Sequence, residues 1–217
     1  EGLNAINFYG KTYPFNSMKN LFTALDFAYQ LNSRIDLNAW GGRGQIGYNF
    51  SDVFWKPILM VSYQIFSGDD PDTQELERFD PLYYEGSPSA WSTGSKSSMV
   101  FINTNVKSLV ISLRVMPSQK DIITLRYAHV AVQQLRSTIQ FGLAARVEFS
   151  DGIPTVVVGV TQVILADDFF IEYNRVISNH IFFNAGFSLS FAGEGIENIV
   201  GDTSLWTGGF LNIVFNF

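Results

Sequence analysis

Residues 205–217 read LWTGGFLNIVFNF, and the fold turns on this stretch. Counted back from the end, Phe217, Phe215, Ile213 and Leu211 share one face of an extended strand. Asn216, Val214, Asn212 and Phe210 share the other, because side chains alternate sides with period two. One face is wholly apolar and the other mixed. A soluble domain rarely finishes on such a strand and a bare Phe.

The same alternation recurs upstream. In His180–Phe191, Ile181, Phe183, Ala185, Phe187, Leu189 and Phe191 oppose Phe182, Asn184, Gly186, Ser188 and Ser190. Thr138–Phe149 sets Ile139, Phe141, Leu143, Ala145, Val147 and Phe149 against Gln140, Gly142, Ala144, Arg146 and Glu148. Ser108–Met116 and Asp121–Val130 follow the rule, as do Asn20–Gln30, Asn38–Phe50 and Pro57–Phe66, with Leu3–Tyr9 a weaker opening strand. Residues 154–176 hold two more strands that meet near Gln162–Asp168. These make about eleven strands, each near the roughly 10-residue length of a tilted spanning strand. Asn38–Phe50 carries Gly41, Gly42, Gly44 and Gly47, which suits a bent or closely approached wall.

Composition points the same way. Hydrophobic residues make up 47% of the 217 and charged residues only 16%, an odd mixture for a soluble chain of this size. Yet no run approaches the roughly 20 apolar residues of a membrane helix. The apolar residues are instead interleaved with Asn, Gln, Ser, Thr and Gly, as a barrel wall between lipid and water requires. A soluble β-sandwich also alternates, but its outer face should be rich in Lys, Glu and Thr, and here it is not. The expected fold is therefore all-β: an antiparallel transmembrane β-barrel of the bacterial outer membrane, with ten or eleven strands in this chain. Residues 1–217 form one barrel domain or the C-terminal portion of one. The C-terminal stretch itself resembles the closing-strand signal of such barrels.

Turn chemistry gives the strands a direction. ISN at 177–179, SDG at 150–152 and PSQK at 117–120 are tight turns, expected on the periplasmic side. Residues 192–204, 131–137 and the long 67–103 are then outer connections, with 67–97 an extracellular or lumen-folded loop. Residues 131–137 are short for an outer connection.

Residues 39–70, AWGGRGQIGYNFSDVFWKPILMVSYQIFSGDD, and the pair SLVISLRVMPSQKDIITLRYAHV resemble the alginate export porin family. The resemblance implies an eighteen-stranded barrel that passes an acidic exopolysaccharide through a lumen lined with basic side chains. This chain holds about half the strands such a barrel needs. It is then the C-terminal part of a longer chain, a smaller barrel, or one of two chains that share a pore. We favour the first, because the pattern is already under way at Glu1.

Arg43, Arg114, Arg126 and Arg146 fall on the polar face. In an aqueous lumen they would attract carboxylated sugars, since the guanidinium fork pairs bidentately with carboxylates. The alternative is that they brace the wall against Asp26, Glu148 and Glu172. Arg114 and Arg126, on adjacent strands, are the first choices for pore-lining groups; Arg43, Arg146, Glu148 and Glu172 complete the set. The net charge of −6 sits awkwardly with a simple anion channel. Residues 67–97 are dense in acids, including Asp69, Asp70, Asp72, Glu75, Glu77, Asp80 and Glu85. Calcium is a conceivable ligand, but the spacing fits no loop motif, so no metal or cofactor is expected. Trp40, Trp55, Trp91 and Trp206 suit interfacial girdles.

With no cysteine and only His129 and His180, at opposite ends of the expected barrel, no catalytic constellation assembles, and an enzyme is not expected. No Lys/Arg run suggests nucleic acid. The expected partners are outer-membrane lipid and lipopolysaccharide, an anionic polysaccharide, and the missing barrel half or other outer-membrane subunits.

Overall fold

The structure, a computed structural model, describes residues 2–81, 93–94, 100–139, 145–201 and 205–217. It is almost wholly β. The strands are β1 (Asn4–Thr12), β2 (Leu21–Asn32), β3 (Leu37–Asn49), β4 (Ile58–Phe66), β5 (Thr93–Gly94), β6 (Val100–Phe101), β7 (Val106–Ser118) and β8 (Asp121–Val132). They continue as β9 (Arg146–Ser150), β10 (Ile153–Val157), β11 (Ile164–Ser178), β12 (Ile181–Ala192) and β13 (Trp206–Phe215), with one short helix, α1 (Glu194–Val200). No described helix is long and apolar enough to cross a membrane.

Nine strands form one sheet in the order β1-β2-β3-β4-β7-β8-β11-β12-β13, and every neighbouring pair is antiparallel. The sheet is an open meander; β1 and β13 remain as edges. Because the strand number is odd, the two edge strands run in the same direction.

Most expected strands appear within a few residues of their sequence limits, but the region after β8 differs. The described part of the segment expected at Thr138–Phe149 is not in the wall: β9 pairs only with β10, in a hairpin apart from the main sheet, and residues 140–144 lie outside the described residues. The wall resumes with β11, which pairs directly with β8, as in Asp168 opposite Ala128. Among the described residues the sheet thus has nine strands rather than ten or eleven. The second boundary also moves, since β10 ends at Val157 and β11 begins at Ile164. The reason is physical: period-two alternation marks an amphipathic strand but carries no information about its partner. The unexpectedly short connection at 131–137 is explained as well. The real connection runs through residue 163, and the turn at 150–153 lies at the loop end.

The connections are segregated. At one end, the turn end, lie 13–20, 50–57, 119–120, 179–180 and the residues after β13. At the other, the loop end, lie 33–36 and the described residues of the connections from β4 to β7, from β8 to β11 and from β12 to β13. The described parts of the long connections fold onto one face of the sheet. Phe79, Ile139, Val160 and Ile196 pack there against Ala39, Phe66, Val106, Val110, Ala128, Val130, Val132, Leu165 and Ala166 of the wall. This covered face contrasts with a bare face that presents Leu25, Phe27, Ile46, Leu109, Ile111, Leu125, Phe169, Ile171, Phe187, Leu211 and Ile213 to the surroundings. Apolar residues are therefore most exposed where a soluble sheet would be polar.

The glycines of β3 permit close approach on the covered face. A Cβ on Gly41 would lie 2.5 Å from a ring carbon of Phe66, and one on Gly47 would run into the ring of Phe22. Gly41→Val is expected to cost roughly 1–3 kcal/mol through overpacking. A lowered denaturant midpoint in detergent would show it; an unchanged midpoint would mean that Phe66 has room to move.

Candidate functional site

The covered face has two halves. Toward the loop end it is filled. Gln30, almost wholly buried, donates from Nε2 to the Asp80 carbonyl at 2.5 Å and accepts from the Asp80 N–H at 2.9 Å. Asp69 accepts from the N–H groups of Glu77 and Arg78, both at 2.9 Å, and its own N–H donates to Ser137 Oγ at 2.9 Å. The Arg78 guanidinium donates to Thr138 Oγ1, and the Phe79 ring packs 5.3 Å from that of Phe66. Asp70 accepts from the Asp72 N–H, and Glu77 from the Asp70 N–H. Several acids of this loop thus organise its own backbone. Residues 82–92 and 95–97 of the loop, with Glu85 and Trp91, lie outside the described residues.

Toward the turn end the covered face opens into a cavity of about 910 Å³. Residues of β1, β2, β3, β4, β7 and β8 all line it, which requires the sheet to curl around it. Lys11, Lys19 and Arg114 supply its charge, and its described lining contains no carboxylate. Tyr9, Tyr13, Phe15 and Phe22 supply aromatic faces, and Asn16, Asn20, Gln45 and Asn49 supply amides. The Lys11 ammonium lies 4.5 Å from the Phe22 ring centroid and 5.9 Å from that of Tyr13, a cation held on aromatic surface. Such a combination suits a solute that carries both anionic groups and hydroxyls.

The residues singled out in the sequence divide between the two halves and the excursion. Arg114 enters the cavity, beside Ser112 and Thr124. Arg43 faces Asp26 at 3.4 Å, both largely buried, as the register of β2 and β3 requires. Arg126 lies opposite Phe170, its guanidinium carbon 5.7 Å from the ring centroid, within the attraction of Asp168 and Glu172. Its Nε and Nη2 are buried without a hydrogen-bond partner among the described residues. Glu172 accepts from Asn184 Nδ2 at 3.0 Å.

Arg146 and Glu148 are displaced from their expected wall position, since both lie on the β9–β10 hairpin. They form an ion pair there, and Arg146 also donates to the Gly159 carbonyl at 2.7 Å and to Thr161 Oγ1 at 2.9 Å. Arg146 therefore braces the excursion. Arg146→Ala is expected to speed proteolytic cleavage within 146–161, with the rest of the chain unaffected. Equal cleavage rates in both proteins would show that the hairpin holds without it.

Lys11 and Lys19 were not legible as site residues, because the first strand was expected to stop at Tyr9 and the second to begin at Asn20. The available signal was that Lys11 continues the Asn7–Tyr9 alternation. Trp40 is on the bare face near the loop end and Trp55 is at the turn end, but Trp206 faces the covered side and packs on the core. His129 and His180 lie toward opposite ends of the sheet.

No curated protein matches this chain. A family model described as alginate export matches residues 10–196, a span that includes the described cavity lining apart from Tyr9, the loop-end cluster and eight of the nine sheet strands wholly or in part. The chain belongs to the alginate export family.

Proposed function

We propose that this chain forms part of an outer-membrane β-barrel channel for an anionic saccharide, with its bare face in lipid and its covered face lining the lumen. The observation that carries this reading is the cavity with Lys11, Lys19 and Arg114 and no described carboxylate. Strands with unpaired edges are not tolerated in hydrocarbon. A nine-stranded meander whose edges run in the same direction closes with antiparallel seams only when an odd number of further strands joins it. Nine such strands give the eighteen-stranded barrel implied by the family resemblance. The acidic loop 67–81 lies at the opposite end from the basic cavity, so an anion would meet attraction at the turn end first.

The test is current block. The full-length protein in a planar bilayer is expected to show interruptions when a polyuronate is added, and none with a neutral dextran of equal length. Equal response to both would remove the role of charge. A second reading, a plugged barrel that anchors partners, draws on the filled loop-end half; it predicts no measurable conductance while the loops are in place.

A further inference from the structure

The bare face of the nine strands is not uniformly apolar, and its exceptions are placed systematically. Apart from tyrosines, its titratable side chains are Lys107, Asp121, His129, Asp167 and Arg175. On the adjacent strands β8 and β11 they form two cross-strand pairs, His129 opposite Asp167 and Asp121 opposite Arg175. Each pair is closed by a tyrosine. Toward the loop end, Tyr127 OH donates to Asp167 Oδ1 at 2.6 Å, and His129 Nδ1 lies 2.8 Å from the same oxygen. Toward the turn end, Tyr173 OH donates to Asp121 Oδ1 at 2.7 Å, and Arg175 Nη1 donates to that oxygen at 3.0 Å. Between the pairs stand Ile123, Leu125, Phe169 and Ile171. Both tyrosines thus keep their rings on the apolar side and send their hydroxyls outward to a carboxylate.

This further reading rests on the membrane assignment above. We propose that the two pairs mark the hydrocarbon boundaries on this part of the wall, His129–Asp167 at the loop-end interface and Asp121–Arg175 at the turn-end interface. The occupant of the band between them is acyl chain. The spacing supports that choice: eight residues on each strand cover roughly 26 Å at about 3.3 Å per residue. With a tilt of roughly 35–45°, the depth across the membrane is roughly 20 Å, close to the thin apolar band of outer-membrane barrels. A carboxylate on a lipid-facing wall is costly at mid-depth and tolerated near an interface, where its hydrogen-bond partners and headgroup water offset the cost. Tyrosine is the residue suited to such a border, apolar in its ring and polar at its tip.

The chain has no cysteine, so single labelling sites can be introduced cleanly. Bimane-labelled Leu125→Cys and Ile171→Cys would probe mid-band. Leu109→Cys and Phe183→Cys would probe the borders without removing any of the paired groups, since they lie opposite His129 and Arg175. The full-length protein is reconstituted in phosphatidylcholine vesicles carrying nitroxide on the headgroup or deep in the acyl chain. The mid-band labels should be quenched more strongly by the deep nitroxide, and the border labels by the headgroup nitroxide. Border labels quenched as deeply as mid-band ones would overturn the boundary assignment and leave the membrane wall standing. Mid-band labels quenched only by aqueous iodide would overturn both. Mid-band labels reached by neither quencher would overturn acyl chain as the occupant and place a protein neighbour there.

Discussion

Replacing Lys11, Lys19 and Arg114 together with Gln is expected to abolish the anion preference of the channel, and replacing them with Glu to invert it. The three cations line one cavity whose described walls hold no acid, so their fields add rather than cancel. In a confined site with low-dielectric walls such fields raise the local concentration of counter-ions by about 10-fold or more. Reversal potentials under a salt gradient should therefore shift by an amount equivalent to an anion/cation permeability change on the order of 10-fold. The effect should shrink at high ionic strength, because the Debye length falls to about 3 Å at 1 M salt. Arg126→Gln should do less, since Asp168 and Glu172 already act on that guanidinium. Arg43→Gln should mainly destabilise the wall by leaving Asp26 without this ion pair. If the triple variant keeps the wild-type reversal potential, the cavity is not on the conduction path.

Excising residues 69–80 in favour of a short Gly/Ser linker is expected to raise single-channel conductance severalfold. This segment occupies the loop-end half of the covered face. It is held by the two-way clasp between Gln30 and Asp80, by Asp69 on the backbone of Glu77 and Arg78, and by Phe79 on Phe66. Breaking one of these should act more weakly. Gln30→Ala leaves both the Asp80 N–H and the Asp80 carbonyl without their partners, a loss on the order of 1–3 kcal/mol at a buried site. Noisier open-state current with little change in its mean would be the signature of that single change. Unchanged conductance after excision would place the narrowest point elsewhere, near Arg126 or α1.

The wall was legible because alternation is a local property. The strands at Pro57–Phe66, Asp121–Val130 and His180–Phe191 were expected almost where β4, β8 and β12 lie, since one-residue slips would turn every apolar side chain to the wrong face. Partnership was not legible. Val147 and Phe149 alternate as well as Leu109 and Ile111, but β9 turns back on β10 and leaves the sheet. Alternation alone puts Arg146 and Glu148 on the wall, whereas pairing puts them on the hairpin. Charge on the polar face was also a poor guide to availability. Arg43 and Arg114 look alike in sequence; only the register sets Arg43 beside Asp26 and leaves Arg114 in a cavity with no described acid. The bare-face pairs were hidden for the same reason: His129 and Asp167 meet only because β11 follows β8 in the sheet.

The most direct test concerns the two faces themselves. Nitroxides placed one at a time along β12 in the membrane-embedded full-length protein can be compared for collision with oxygen, which partitions into lipid, and with a water-soluble nickel complex. Labels at Phe183, Ala185 and Phe187 should favour oxygen, while those at Phe182, Asn184 and Gly186 should not, giving a period of two. Uniform access of the nickel complex to both sets would contradict a wall with hydrocarbon on one side and a lumen on the other.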